Sequence, residues 1–195
     1  LDINRYIAIG LEGFAAFVDE ALGGLDVKLN AAEIDYINER ITGYENESAL
    51  IKNCPLVTAK PGVVHLTGAQ TLIFARNRTT PASGQAGEAS DYDRAARQQE
   101  VLRLMYEKFV AQEPVSSIPG VVRFALGHVE TNLDLDEICR LAEPLMAEPV
   151  AIRTAEVPFG GTWSYGGDGS GILFEREETV RRLYALLYPE RGADR

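Results

Sequence analysis

Apolar positions recur along this chain in two rhythms, one of period two and one of period three to four, and the switches between them mark the elements. Residues 6–9, Tyr-Ile-Ala-Ile, read as a short strand; Phe14, Phe17, Val18 and Leu22 then recur at helical spacing until Gly23-Gly24 stops the helix. Leu25-Asp26-Val27-Lys28-Leu29 alternates as a half-buried strand does. Asn30 is placed to cap a second helix with the stripe Ile34, Ile37 and Ile41, ending before Gly43. The strand-helix-strand-helix order predicts an α/β fold, a layered α-β-α domain with a central mixed sheet flanked by helices.

Residues 44–62 show no period. A third helix begins near Thr67, with Ala69, Leu72 and Ile73 on its buried stripe. Continuing that stripe by three or four positions reaches Arg76, which is therefore expected to point inward. Residues 79–90 are small and polar, lie between two arginine-bearing elements, and form a candidate mobile flap. A long helix over 92–111 follows. Its stripe of Val101, Met105 and Phe109, extended backwards, reaches Arg94, Arg97 and Gln98.

Further along, residues 121–126 read as a short helix, and Asp134 can cap another whose Leu135, Ile138, Cys139 and Ala142 are expected to face inward, with Pro144 as a kink. Cys139 is thus expected to be a buried core thiol. Residues 150–157 read as a strand, 158–171 as a glycine-rich turn region and 172–174 as a strand; Val180, Leu183, Tyr184 and Leu187 make the stripe of a final helix. There is no internal repeat, and residues 1–195 are read as a single domain.

Composition narrows the possible partners. A chain of 195 residues with 46% hydrophobic content can bury a substantial core. The net charge of −10 repels nucleic acid, so no nucleic-acid partner is expected and any phosphate binding must come from a local cluster. Cys54 and Cys139 lack a CxxC spacing and give no support to a zinc site. The chain has no bilayer-length apolar run and no signal-peptide pattern; it opens on Leu1 and is read as lacking an N-terminal segment.

The local cluster is unmistakable. Arg76-Asn77-Arg78 precedes the small-residue loop, and Asp91-Tyr92-Asp93-Arg94-Ala95-Ala96-Arg97-Gln98-Gln99 follows it at a helix start. Guanidinium forks suit phosphate oxygens, and a helix N-terminus adds free N–H groups and the positive end of a dipole. A structural reading stands beside this one: Asp91 as a helix cap, Arg76 complementing a helix C-terminus, and Arg94 and Arg97 pairing with Glu100 or Asp93. Against it, Arg94 and Arg97 share the core-facing stripe, and a buried cation requires an anion or a carboxylate beside it.

At these residues the chain resembles the LytR-CpsA-Psr family of bacterial cell-envelope phosphotransferases. Four stretches carry the resemblance: residues 14–27 from Phe-Ala-Ala-Phe to Gly-Gly-Leu-Asp-Val; residues 65–78 from His-Leu-Thr-Gly to Ala-Arg-Asn-Arg; Asp91 to Gln99; and Val157-Pro158-Phe159-Gly160-Gly161-Thr162-Trp163. The resemblance implies transfer of a glycan from a polyprenyl-pyrophosphate carrier, through a phosphodiester, to a peptidoglycan hydroxyl. It places Arg76, Arg78, Arg94, Arg97 and Gln98 on pyrophosphate-holding positions and Asp91 on the adjacent acidic position. Asp91 and Arg94 are the candidate catalytic residues, the carboxylate receiving or orienting the acceptor proton and the guanidinium neutralising charge on the transferred group.

The resemblance also implies Mg2+, a membrane anchor upstream and an extracytoplasmic location. The chain carries neither the earlier strand with a metal-binding aspartate nor the Ser-x-Pro-Arg-Asp-like segment of the family, so no metal ligand is named. Val101 and Met105 are expected to line a lipid tunnel. A polyprenyl-pyrophosphate hydrolase and a non-catalytic lipid-carrier binding or regulatory module are the rival readings. His65 reads as structural, and Trp163 and Tyr165 read equally as a sugar platform or a packed turn.

Overall fold

Period-two alternation is realised in Leu25–Leu29 (β2), which buries Leu25, Val27 and Leu29 and exposes Asp26 and Lys28. In the computed structural model, which describes residues 3–43, 49–82, 91–111, 127–147, 152–167 and 171–188, this strand pairs antiparallel with Gly62–Leu66 (β3). Leu25 stands opposite Leu66 and Val27 opposite Val64, so one face of the ladder is apolar throughout. Before it run Ile7–Ile9 (β1), Leu11–Ala16 (α1) and a π-helical turn, Phe17–Ala21. Gly23 and Gly24 then take φ of 68° and 92°, a backbone region costly for residues with a Cβ.

Helices cover the buried face. Ala31–Gly43 (α2) begins with reciprocal hydrogen bonds: the Glu33 N–H donates to Asn30 Oδ1 and the Asn30 N–H to Glu33 Oε2, each at 2.9 Å. After the short Ala49–Lys52 (α3), Gly68–Ala75 (α4) starts with another such box between Thr67 and Gln70, and the Gly68 N–H donates to the Asp19 carboxylate at 2.7 Å. Every residue of α4 is buried, the pattern of a helix enclosed on all sides. Asp91–Ala111 (α5) packs on β2 and α4. Val18, Leu22, Ile34, Ile37, Leu66, Ile73, Phe74 and Val101 join the inward residues of β2 in one core.

Residues 1–150 form one compact unit, which also holds Val129–Thr131 (β4), antiparallel to β1, and Leu135–Ala147 (α6), capped by Asp134. Residues 151–195 form a second unit. In it Trp163–Tyr165 (β5) pairs antiparallel with Ile172–Phe174 (β6), and Arg176–Leu187 (α7) follows. Buried Thr162 ties this unit together, its carbonyl accepting from the Glu175 N–H and its hydroxyl lying 3.3 Å from that of Thr179.

The mixture of helices with small sheets agrees with the α/β expectation; among the described residues the strands form three antiparallel pairs. Several local expectations are corrected. Arg76 is exposed because α4 ends at Ala75 and Arg76 is its C-cap, with ψ of −2°; the helical period ends one residue before it. Cys139 is exposed, with Leu135, Ile138 and Leu141, because no described residue covers that face of α6. Gln98 also turns outward. Residues 152–157 form no strand, having no partner to pair with among the described residues. In α7 the buried residue is Thr179, while Val180, Tyr184 and Leu187 are exposed. The expected helix at 121–126 lies outside the described residues.

Candidate functional site

The Arg-Asn-Arg segment is organised by its middle residue. Asn77 is 0% exposed, and its side-chain oxygen accepts from the N–H groups of Thr79 at 2.9 Å and Thr80 at 3.3 Å. Its amide donates to the Thr80 hydroxyl at 2.6 Å, and its own N–H donates to the Phe74 carbonyl. Such a side chain-to-backbone turn satisfies the N–H donors of Thr79 and Thr80 in the segment that follows α4. With Asn77 locked inward, Arg76 and Arg78 on either side are both exposed.

Arg97 closes this turn from behind. It is 2% exposed, and its guanidinium donates to the Asn77 carbonyl at 3.2 Å, to the Thr80 carbonyl at 2.7 Å and to the Thr80 hydroxyl at 3.0 Å. The carboxylate it requires is Glu33, itself 0% exposed, whose Oε1 accepts from Arg97 Nε at 3.1 Å and lies 3.0 Å from Nη2. The Phe74 ring sits 5.7 Å from the guanidinium carbon. A second tie comes from buried Asp93, whose carboxylate accepts from the Ala82 N–H at 2.7 Å.

Of the residues singled out in the sequence, the structure thus joins the segments that carry Arg76, Arg78, Arg94, Arg97 and Gln98. Arg94 is half-buried one helical turn before Arg97, and Gln98 is exposed one turn after Arg94. Asp91 is the first residue of α5 and lies three positions before Arg94; its side chain lies outside the described residues. Of the expected flap, residues 79–82 are tied down by Asn77 and Asp93, and residues 83–90 lie outside the described residues.

Glu33 is the residue that sequence reasoning missed. The Asn-x-x-Glu spacing at a helix start marks it as the reciprocal partner of a cap, but its pairing with an arginine 64 positions away leaves no local trace. His65 stands opposite Asp26 across β2 and β3, its Nδ1 2.7 Å from the carboxylate, with both side chains exposed. Cys54 and Cys139 are free thiols; burial pushes the Cys54 thiol pKa up, and the Thr67 hydroxyl at 3.9 Å acts against that shift. Among the described residues no group of three or more His, Cys, Asp and Glu side chains is close enough to hold a metal ion, and no helix is long and apolar enough to cross a membrane.

The sequence profile of the LytR_cpsA_psr family matches residues 1–183. The chain is 32% identical over 136 residues to the polyisoprenyl-teichoic acid–peptidoglycan teichoic acid transferase TagU of Bacillus mycoides, covering 70% of this chain and 36% of that protein. It is 24% identical over 179 residues to the enzyme of the same description, TagV, from Bacillus subtilis, covering 92% of this chain and 41% of that protein. The chain therefore spans well under half the length of these two relatives. Among solved structures, TagT bound to LI-WTA superposes with a TM-score of 0.59 at 18% identity, covering 97% of this chain and 61% of that one, which establishes a shared fold. On the profile match over nearly its whole length, the chain belongs to the LytR_cpsA_psr family.

Proposed function

We propose that this chain is part of a phosphotransferase that moves a glycan phosphate from a polyprenyl-pyrophosphate carrier to a peptidoglycan hydroxyl in cell-wall assembly. Relatives named as teichoic acid transferases support the reaction class. The observation that carries the reading is the turn locked by Asn77, which presents Arg76 and Arg78 outward and is tied by hydrogen bonds to the first turns of the helix bearing Arg94 and Gln98. Fixed cations are what phosphoryl transfer asks of a protein, since its work is positioning and neutralising the moving charge.

In this reading Arg76, Arg78, Arg94 and Gln98 meet the pyrophosphate, with Arg97 in the core behind them. Arg94 stabilises charge on the phosphoryl group as the acceptor oxygen attacks and polyprenyl phosphate leaves. Asp91 orients the acceptor hydroxyl and takes its proton. Mg2+ enters this reading as the cofactor the family resemblance implies; among the described residues no cluster of carboxylate, histidine and cysteine side chains fits a metal site. Val101 is enclosed by the core and Met105 half-buried against it, so contact with the lipid tail falls to the Met105 side of α5. An extracytoplasmic location and a membrane anchor upstream complete the proposal.

The test is a transfer assay run beside a donor-binding assay on wild-type protein and Asp91→Asn. Asparagine retains a capping oxygen and loses the basicity. Transfer is expected to fall about 10²–10⁴-fold while donor affinity holds or rises. Free glycan phosphate as the wild-type product would make the protein a hydrolase. Donor binding without turnover would make it a carrier-binding module, and equal loss of binding and transfer would reduce Asp91 to a cap or a donor contact.

A further inference from the structure

We infer that Glu33, together with Arg97, is a positioning residue for the pyrophosphate site, and that Arg97 serves as a strut inside the protein and not as a ligand of the donor. The inference rests on the proposed donor site and extends it to a residue outside the arginine cluster. Three observations carry it. First, the charge of Arg97 is already met: Glu33 Oε1 engages both Nε and Nη2, at 3.1 and 3.0 Å, with the two side chains 0–1% exposed. A cation neutralised in the core has little attraction left for a phosphate outside it.

Second, the remaining bonds of Arg97 run to the Asn77 and Thr80 carbonyls and the Thr80 hydroxyl. These are the two ends of the turn that holds Arg76 and Arg78. Arg97 therefore fixes the distance between that turn and α5, where Arg94 lies one helical turn away. Third, the other oxygen of Glu33 accepts from the Asn30 N–H at 2.9 Å and Asn30 in turn accepts from Glu33. The carboxylate is thereby anchored to the start of α2, and through α2 to the core. The chain of contacts runs from α2 through Glu33 and Arg97 to the turn, without touching the donor. Placement errors well under a bond length matter where several fixed cations must meet one anion.

The two roles for Arg97 predict opposite signs. If Arg97 bound the donor directly, Glu33→Gln would release its charge toward the anion, and affinity would rise. If the pair is a strut, Glu33→Gln leaves an uncompensated buried cation, the turn loosens, and affinity falls. The experiment measures binding of a short-chain polyprenyl pyrophosphate to the full chain, well below its unfolding midpoint, for wild type, Glu33→Gln, Arg97→Gln and the double variant. Each single change is expected to weaken binding roughly tenfold, and the double variant, which strands no charge but has also lost the guanidinium bonds to the turn, is expected to lose about tenfold and not the hundredfold of two independent contributions. Amide exchange gives an independent reading: Thr79 and Thr80 should exchange faster in Glu33→Gln while β2 and β3 amides stay protected.

Tighter binding in Glu33→Gln would overturn the inference and return Arg97 to the ligand set, and losses that multiply in the double variant would show that the two residues do not act as one strut. A lowered midpoint with unchanged affinity and unchanged Thr79 and Thr80 exchange would also overturn it, leaving the pair as core packing only. If a single variant fails to fold, the double variant and wild type decide: affinity held in the double variant, or affinity lost with Thr79 and Thr80 exchange unchanged, contradicts the strut. Absence of binding by wild type itself would instead refute the proposed donor site on which the inference rests.

Discussion

Glu33 and Arg97 lie 64 positions apart in sequence and bond to each other inside the core, a pairing that sorts the arginines into two physical classes. Removing one partner of a buried pair strands the other, so Arg97→Ala is expected to cost about 3–5 kcal/mol of stability. Arg78→Ala removes an exposed side chain, so stability should change by no more than about 0.5 kcal/mol. Urea unfolding of the two variants checks this contrast, and equal midpoints would contradict it. The inward stripe at Val101 and Arg97 was legible because helical periodicity reports which face is covered. Arg76 departs from its expected inward position because periodicity cannot report where a helix stops: the C-cap at Arg76 breaks the phase. The acid that answers Arg97 was hidden by its distance along the chain.

At the scale of elements, the approach of α4 to α1 depends on a side chain that is missing. A Cβ at Gly68 would fall within the van der Waals envelope of the Ala15 carbonyl, main-chain atoms that cannot swing aside. Gly68→Ala is expected to cost about 3 kcal/mol and to loosen the fully buried α4, whose C-terminal end delivers Arg76, Asn77 and Arg78. A thermal midpoint within a degree of wild type would contradict that packing. The strands β1, β2 and β6 and the helices α1, α2, α4, α5, α6 and α7 were legible from spacing and caps, since those signals are local. The apolar stripe of α6, with Leu135 67% exposed, shows the limit of the same logic. Amphipathicity states which face would be buried if something covered it, and no described residue does. Likewise the apolar residues within 150–157 resembled a strand, but pairing needs a partner that sequence alone does not supply.

For the whole molecule, an acidic chain with net charge −10 concentrates exposed cations beside one buried polar turn. General electrostatics opposes anions, so affinity for a pyrophosphate must come from fixed, local donors and should depend on each of them. The family, the fold and the arginine-rich segments were readable from four stretches of sequence; the division of labour among the arginines was not, because it depends on which of them the fold encloses. Titration calorimetry of the full chain with a short-chain polyprenyl pyrophosphate tests the central claim most directly. One-to-one binding is expected, weakened roughly 10–100-fold by Arg76→Ala or Arg78→Ala, the effect of losing about 1.5–3 kcal/mol of charge-assisted hydrogen bonding, with the fold intact. No binding by the wild-type chain, or an affinity that neither exposed arginine changes, would contradict the account.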